Sequence, residues 1–481
     1  MSIASALSNA LSGLSAVARG TETVSSNLAN VMTPGYARRE MALTSQGAVG
    51  GVRVDGIIRH VNENLLSEAR GASSAQGDAS TRAAYLRRIE AVIGLPGEAH
   101  SLETALSQFQ TALSSAAARP EEELRLVQLA QSASALAGRL NAATREVQAA
   151  RTEADQAIGN DVASINAALE QVAYLNRRIA STQAEGHDAS ALLDERQLVV
   201  DRLSSIVPLQ QVTRGGGAIA LFTREGAVLL DGTVPARIGF TPAGLVQSGQ
   251  TVNAGLSNLT LNGAALSSAQ MRLFTGGSLG AHFAVRDDLA PALQRDLDAL
   301  ALDLHARLAD PAVDPTLVPG QPGVFVDPDT PVGTPTLAGL AGRLTINAAI
   351  DPAAGGQAWR LRAGLGATTP DPVSKSSVLV AMGDALNASL PLGSGSPFEG
   401  QASLAMRFAA TGARVASARV GADNTVAVAS ARLSMLQSWQ MADGVDSDAE
   451  MQRLLQYEQA YAANARVIRA IDEMINYLLR M

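Results

Sequence analysis

The sequence predicts a mainly α-helical protein with an inserted β-rich domain, in which the first and last helices pair as a coiled-coil-like unit. Three observations carry this prediction. A heptad seam runs through the first 31 residues, and a second one lies close to the other end. Between them, after Pro208, the texture changes to short apolar runs divided by Gly, Asn and Asp. At 481 residues the chain has room for two or three domains. Nearly half of it is apolar but only 3% is aromatic, which suits closely packed helices rather than bulky cores.

The first seam is Ile3, Leu7, Ala10, Leu14, Val17, Thr21, Val24, Leu28 and Val31, alternating spacings of four and three. The opposite face is Ser, Asn, Gly and Thr. Ser and Gly are weak helix formers, so this helix needs a partner over its seam. It should stop near Met32, because Pro34 disfavours helical geometry at Thr33 and Pro34-Gly35 suits the centre of a type II turn. The next stretch, through about residue 61, reads as extended chain or a hairpin.

From Asn62 to Val207 the pattern is helical. Pro120 before three glutamates marks a helix start. A seam then runs from Leu126 through Leu140 to Val147 and resumes at Ile158, Val162, Ile165, Leu169, Val172 and Ile179. Unbroken, this helix would span roughly 60 residues and about 90 Å; Gly159 is the candidate break. "DASALLDERQLVVDRLSSIV" is a further helix. Strands and turns follow to about Gly276, then another amphipathic helix, then a Pro-, Gly- and Asp-rich stretch with one clear strand at "GRLTINAAI". Helices return from Ser376 to Gln440. Ser447 and Glu450 form a capping-box pattern for the last helix, whose seam is Leu454, Tyr457, Tyr461, Asn464, Ile468, Ile471, Ile475 and Leu478. Asn464 is its one polar member, of the kind that fixes register.

These readings give a terminal-helix domain over 1–36 and 441–481 and a connector over 37–61. A helical-bundle middle domain covers 62–207, 277–310 and 373–440, and a β-rich domain covers 208–276 and 311–372.

No catalytic, cofactor or metal site is expected. With no cysteine, disulfides, thiolate metal sites and a cysteine nucleophile are excluded. The five histidines are scattered; His187 and Asp188 with Asp194 nearby lack a second His at helical spacing. Gly215–Gly217 is not followed by a helix, so it reads as a hairpin turn rather than a phosphate cradle. Asp287 and Asp288 open a helix, where acids suit the dipole and are usually solvated. A net charge of −8 and the lack of a Lys/Arg block argue against nucleic acid. The start "MSIASALSNALSGLSAVARG" lacks the basic region of a secretory signal peptide, and no run of 18 apolar residues is present, so membrane insertion is not expected.

A heptad stripe is more often an internal core than a partner interface, and that reading is preferred for the central helix. For the terminal helices assembly is preferred. They lie at opposite ends of the chain, and two seams buried on each other leave Ala- and Ser-rich flanks for neighbours.

"SSNLANVMTPGY" resembles the N-terminal signature of the bacterial flagellar axial proteins through Ser25, Asn27, Leu28, Ala29, Asn30, Thr33, Pro34, Gly35 and Tyr36. "YEQAYAANARVIRAIDEMINYLL" resembles their C-terminal signature through Tyr461, Asn464, Ala465, Asp472, Glu473 and Met474. Ser26, Met32 and Arg480 depart from the usual residues. Within that class, "LLQYEQAYAANARVI", "LLDERQLVVDRLSSIV" and the long N-terminal helical block look most like the hook–filament junction family, hook-associated protein 1.

The resemblance implies a structural subunit, extracellular in the flagellum and secreted by the flagellar type III export apparatus without a cleaved signal peptide. It would assemble into a ring or short helical layer against the hook protein and hook-associated protein 3, with an export chaperone beforehand. Both termini would lie in an inner tube domain, the other helices in a middle domain and the strands outside. A hook or distal-rod subunit is the nearest alternative, a cytosolic coiled-coil adaptor a more distant one.

Overall fold

The computed structural model describes residues 3–46, 50–252, 254–391, 397–398 and 400–480. The predicted class holds: the protein is mainly helical with a small β-rich insert, and the helix at one end packs along the helix at the other. Helix α1 (Ile3–Ala29) leads into a hairpin of β1 (Arg39–Ser45) and β2 (Val52–Arg59). Then come α2 (Glu63–Ile93), α3 (Leu102–Ala118), α4 (Glu123–Ala184) and α5 (Ser190–Ile206).

An antiparallel four-stranded sheet follows: β3 (Leu209–Thr213), β4 (Ile219–Thr223), β5 (Val228–Asp231) and β6 (Val234–Pro235). Gly215–Gly217 is the turn between its first two strands. Helix α6 (Gly277–Ala284) runs through a π turn at Val285–Leu289 into α7 (Ala290–Leu308). The one-turn helices α8 (Leu340–Arg343) and α9 (Arg360–Ala363) precede α10 (Ser377–Asn387), α11 (Leu404–Ala442) and α12 (Ser447–Leu479).

Helix α4 is unbroken over 62 residues. Gly159 does not interrupt it; the missing side chain lets the Pro242 ring approach, since a Cβ there would lie 3.2 Å from Pro242 Cγ. The helix begins at Glu123, three residues beyond Pro120. Its whole seam is buried, and α4 threads two cores. Leu126 to Ala154 pack with α3, α7, α10 and the start of α11. Ile158 to Ile179 pack with α5, the sheet and Phe274 and Leu279.

Where the cores meet, charge replaces apolar packing. Arg286, fully buried, donates to Asp155 at 2.7 Å and to both carboxylate oxygens of Asp287. Arg151 donates to the carbonyls of Arg286, Gln247 and Gln250. Buried charges persist only with such full pairing. Asp287, expected to be solvated, therefore has a structural partner.

Residues 311–372 depart from expectation. Their only ladder among the described residues pairs Phe325–Val326 with Thr345–Ile346; the rest is turns and loops. Their apolar residues, among them Leu317, Phe325, Leu344, Ile350 and Leu361, enter the first core, away from the four-stranded sheet. Aspartates do the work a sheet would do. Asp310, Asp314, Asp327 and Asp351 each accept the amide of the residue two positions on, across an Asp-Pro step. Asp298 of α7 accepts the amides of Gly339 and Ala341 at 2.8 and 2.9 Å. Burial pushes its carboxyl above the ordinary carboxylate range.

Candidate functional site

Helix α1 lies along α12, with the seams facing each other. Val17, Val24 and Ile471 are buried between them, and Ile3, Leu7, Leu14, Leu28, Leu454, Tyr457, Asn464, Ile468 and Ile475 are half-buried. Val31, Tyr461 and Leu478 stay exposed. Two glycines on α1 set how closely the helices approach. A Cβ on Gly20 would lie 2.5 Å from the Tyr457 ring, and one on Gly13 would lie 2.8 Å from the Asn464 amide. Tyr457 and Asn464 of the α12 seam thus lie against bare backbone. Burial raises the Tyr457 hydroxyl above its ordinary pKa.

Helix α1 ends at Ala29, three residues before the expected stop at Met32. The Asn30 amide contacts the carbonyls of both Ser26 and Asn27 at 3.2 Å, and the Asn30 side chain donates to Ser26 O and accepts from the Thr33 hydroxyl. These local bonds give the backbone an alternative to another helical turn. Thr33 O then accepts the Tyr36 amide across Pro34 and Gly35. Gly35 has φ +79°, as the third residue of a type II turn requires. A Cβ on it would also lie 2.5 Å from Leu198 of α5, so the turn rests directly on the helical body.

The turn returns Tyr36 and Arg39 to Asn27, which is fully buried. Asn27 Nδ2 donates to Arg39 O at 2.8 Å and to Glu450 Oε2 at 3.1 Å. Its Oδ1 accepts the Tyr36 hydroxyl at 2.8 Å and the Arg39 amide at 3.0 Å. That uses all four hydrogen-bonding positions of an asparagine side chain. One residue therefore ties α1, the turn and α12 together.

Glu450 is here a partner of Asn27 and of Arg453, at 3.0 Å, rather than part of a capping box. The cap of α12 is Asp446, whose carboxylate accepts the amides of Asp448 and Ala449. Of the remaining signature residues, Ser25, Ala29, Thr33 and Pro34 are exposed and Leu28 is half-buried.

A second node joins this unit to the body. Asp194 of α5 receives Arg39 at 2.9 Å and Arg59 of β2 at 2.7 Å. Arg59 also donates to Gln197, and the Arg39 guanidinium lies 4.8 Å over the Tyr36 ring. The hairpin leans on α1, where Ser12 Oγ accepts the Val52 amide at 3.2 Å. His187 stands apart beside Glu185, and among the described residues no cluster of three potential metal ligands occurs.

What this arrangement offers is a surface. Leu11 on α1 and Leu455, Val467, Met474, Tyr477 and Leu479 on α12 point away from the pairing and are exposed. No helix among the described residues is long and apolar enough to cross a membrane. Exposed apolar side chains concentrated on one element mark an interaction surface. Sequence reasoning found both seams and the turn but missed Gly13, Gly20, Glu450, Leu198 and the role of Asp194.

Comparison with known proteins agrees with the terminal signatures. Residues 86–310 match the model described as flagellar hook-associated protein FlgK helical domain. Residues 442–481 match the flagellar basal body rod FlgEFG protein C-terminal model, and residues 7–36 the flagella basal body rod protein model. The chain is similar to flagellar hook-associated protein 1 of Salmonella typhimurium, with 28% identity over 251 residues, covering 50% of this chain and 45% of that protein. To the Escherichia coli K12 protein of that name it is 25% identical over 260 residues, covering 52% and 47%. To the Bacillus subtilis one it is 25% identical over 240 residues, covering 47% of each. The chain thus spans about half the length of the curated relatives it matches.

A solved structure, the flagellar hook junction protein FlgK from Burkholderia pseudomallei, aligns with a TM-score of 0.44 at 23% identity, covering 55% of this chain and 46% of that one. The resemblance to the flagellar axial proteins, and among them to hook-associated protein 1, is borne out by the family models and the curated relatives.

Proposed function

We propose that this chain is a structural subunit of the bacterial flagellum that joins hook to filament and assembles through its terminal helices. The observation that carries the reading is the α1–α12 pair, which packs along its seam, buries only part of it and leaves further apolar residues exposed on its outer side. Copies stacked side by side would cover those residues, and the Asn27 and Asp194 nodes would hold every pair at one angle to its body. The FlgK helical-domain match over 86–310 favours the junction over a hook or rod subunit.

In this reading the subunit leaves the cell through the flagellar type III export apparatus, without a cleaved signal peptide and with a chaperone's help. It forms a ring or short helical layer and meets the hook protein on one side and hook-associated protein 3 on the other. Deleting its gene in the host tests this. Hooks should remain while flagellin escapes into the medium. Loss of the hooks themselves would point to a hook or rod subunit, and unimpaired filaments would reject the reading.

A further inference from the structure

Among the described residues, the two most exposed methionines lie beside the paired ends of the chain. Met32, beside the turn after α1, is 86% exposed, and Met441, in the last turn of α11, is 70% exposed. Met435 on α11 and Met451 and Met474 on α12 are also exposed, as is Met406 in the first turn of α11, away from the paired ends, at 62%, whereas Met382 in the helical core is 1% exposed. Trp439 and Leu455 lie exposed beside the same α11–α12 turn, so these thioethers belong to a larger apolar surface. The chain has no cysteine. Its soft, oxidisable sulfur is therefore all thioether, and the most accessible of it lies where the ends of the chain face outward.

We propose that Met32, Met435, Met441, Met451 and Met474 are oxidation-sensitive positions spread along the assembly surface, at which a peroxide-class oxidant makes that surface polar and weakens association between copies. This rests on the assembly reading above. In the step itself a methionine sulfur attacks one peroxide oxygen, the O–O bond breaks and an S–O bond forms. The thioether is oxidised to the sulfoxide and hydrogen peroxide is reduced to water. The sulfoxide is polar and accepts hydrogen bonds, so it opposes the burial that an apolar contact between copies requires. Once covered by a neighbour the sulfurs are out of reach. The sensitive form is the subunit before incorporation.

The test uses the full chain, treated with hydrogen peroxide, freed of it and mapped by peptide mass spectrometry. It is then added to a culture of the host lacking the gene, and filaments are counted. The five methionines and Met406 should each carry one added oxygen and Met382 none, so that Met406, away from the paired ends, serves as an oxidised control in the five-leucine chain. Filament restoration should fall by about tenfold or more relative to untreated chain. Reduction by methionine sulfoxide reductases should recover it, and a chain with all five replaced by leucine should keep its restoration after peroxide. Oxidised chain that restores filaments as well as untreated chain overturns the inference, as does a loss that reductase does not reverse. If untreated chain restores no filaments, the assembly reading fails and the inference falls with it.

Discussion

An Asn27→Ala chain should keep its helical body and lose the fixed docking of its ends. The substitution removes a side chain whose four hydrogen-bonding positions are all used. It leaves the Arg39 amide and carbonyl, the Tyr36 hydroxyl and one oxygen of the buried Glu450 carboxylate without that partner. Leaving buried polar groups unpaired costs about 1–3 kcal/mol each, and the Tyr36 hydroxyl can still turn to Ser26, so about 3 kcal/mol is the expected loss. The cost falls locally, because neither large hydrophobic core includes residue 27. Hydrogen exchange should accelerate across α1 and the first turns of α12 while the amides of α4 between Leu126 and Val172 keep their protection. Unchanged exchange in α1 would remove Asn27 from its assigned role.

Asp194→Ala carries the next largest effect. It strips the shared carboxylate from Arg39 and Arg59, whose side chains are 15% and 14% exposed. Breaking a fully buried pair costs about 3–5 kcal/mol, and this slight exposure with the retained Gln197 contact brings the expectation to about 2–3 kcal/mol. Exchange should rise in β1 and β2, and motility of a host carrying the variant should drop sharply. The Asn27 node holds the Arg39 backbone rather than its guanidinium, so α1–α12 protection should fall much less than in Asn27→Ala. Equal loss in both variants would mean that the two nodes act as one.

Much of this organisation was legible because periodicity reports burial directly. The seams of α1, α4 and α12 are stripes, and a stripe needs only local spacing to be seen. Gly13 and Gly20 escaped because glycine in a helix reads as weakness unless the partner is known, and the partners, Asn464 and Tyr457, lie at the other end of the chain. Asp194 escaped for the same reason, its two arginines being 155 and 135 residues away. Glu450 sat in a capping pattern that Asp446 satisfied first.

The region 311–372 was read as β-rich because Pro, Gly and Asp punctuate strands. There the missed signal was present, as five Asp-Pro steps at 310, 314, 327, 351 and 371. Four of them form the side-chain turns that satisfy the backbone without a ladder. The resemblance to the flagellar axial proteins was legible from the two terminal signatures, short motifs whose residues the geometry explains at Asn27 and Gly35.

The most direct measurement is an electron cryomicroscopy map of the hook–filament junction built from this chain. The account predicts that the α1–α12 pair of each copy lines a hollow shaft, with Leu455, Met474, Tyr477 and Leu479 pressed against adjacent copies. A junction in which those side chains face water, and copies touch only through the bodies around α4, would contradict it.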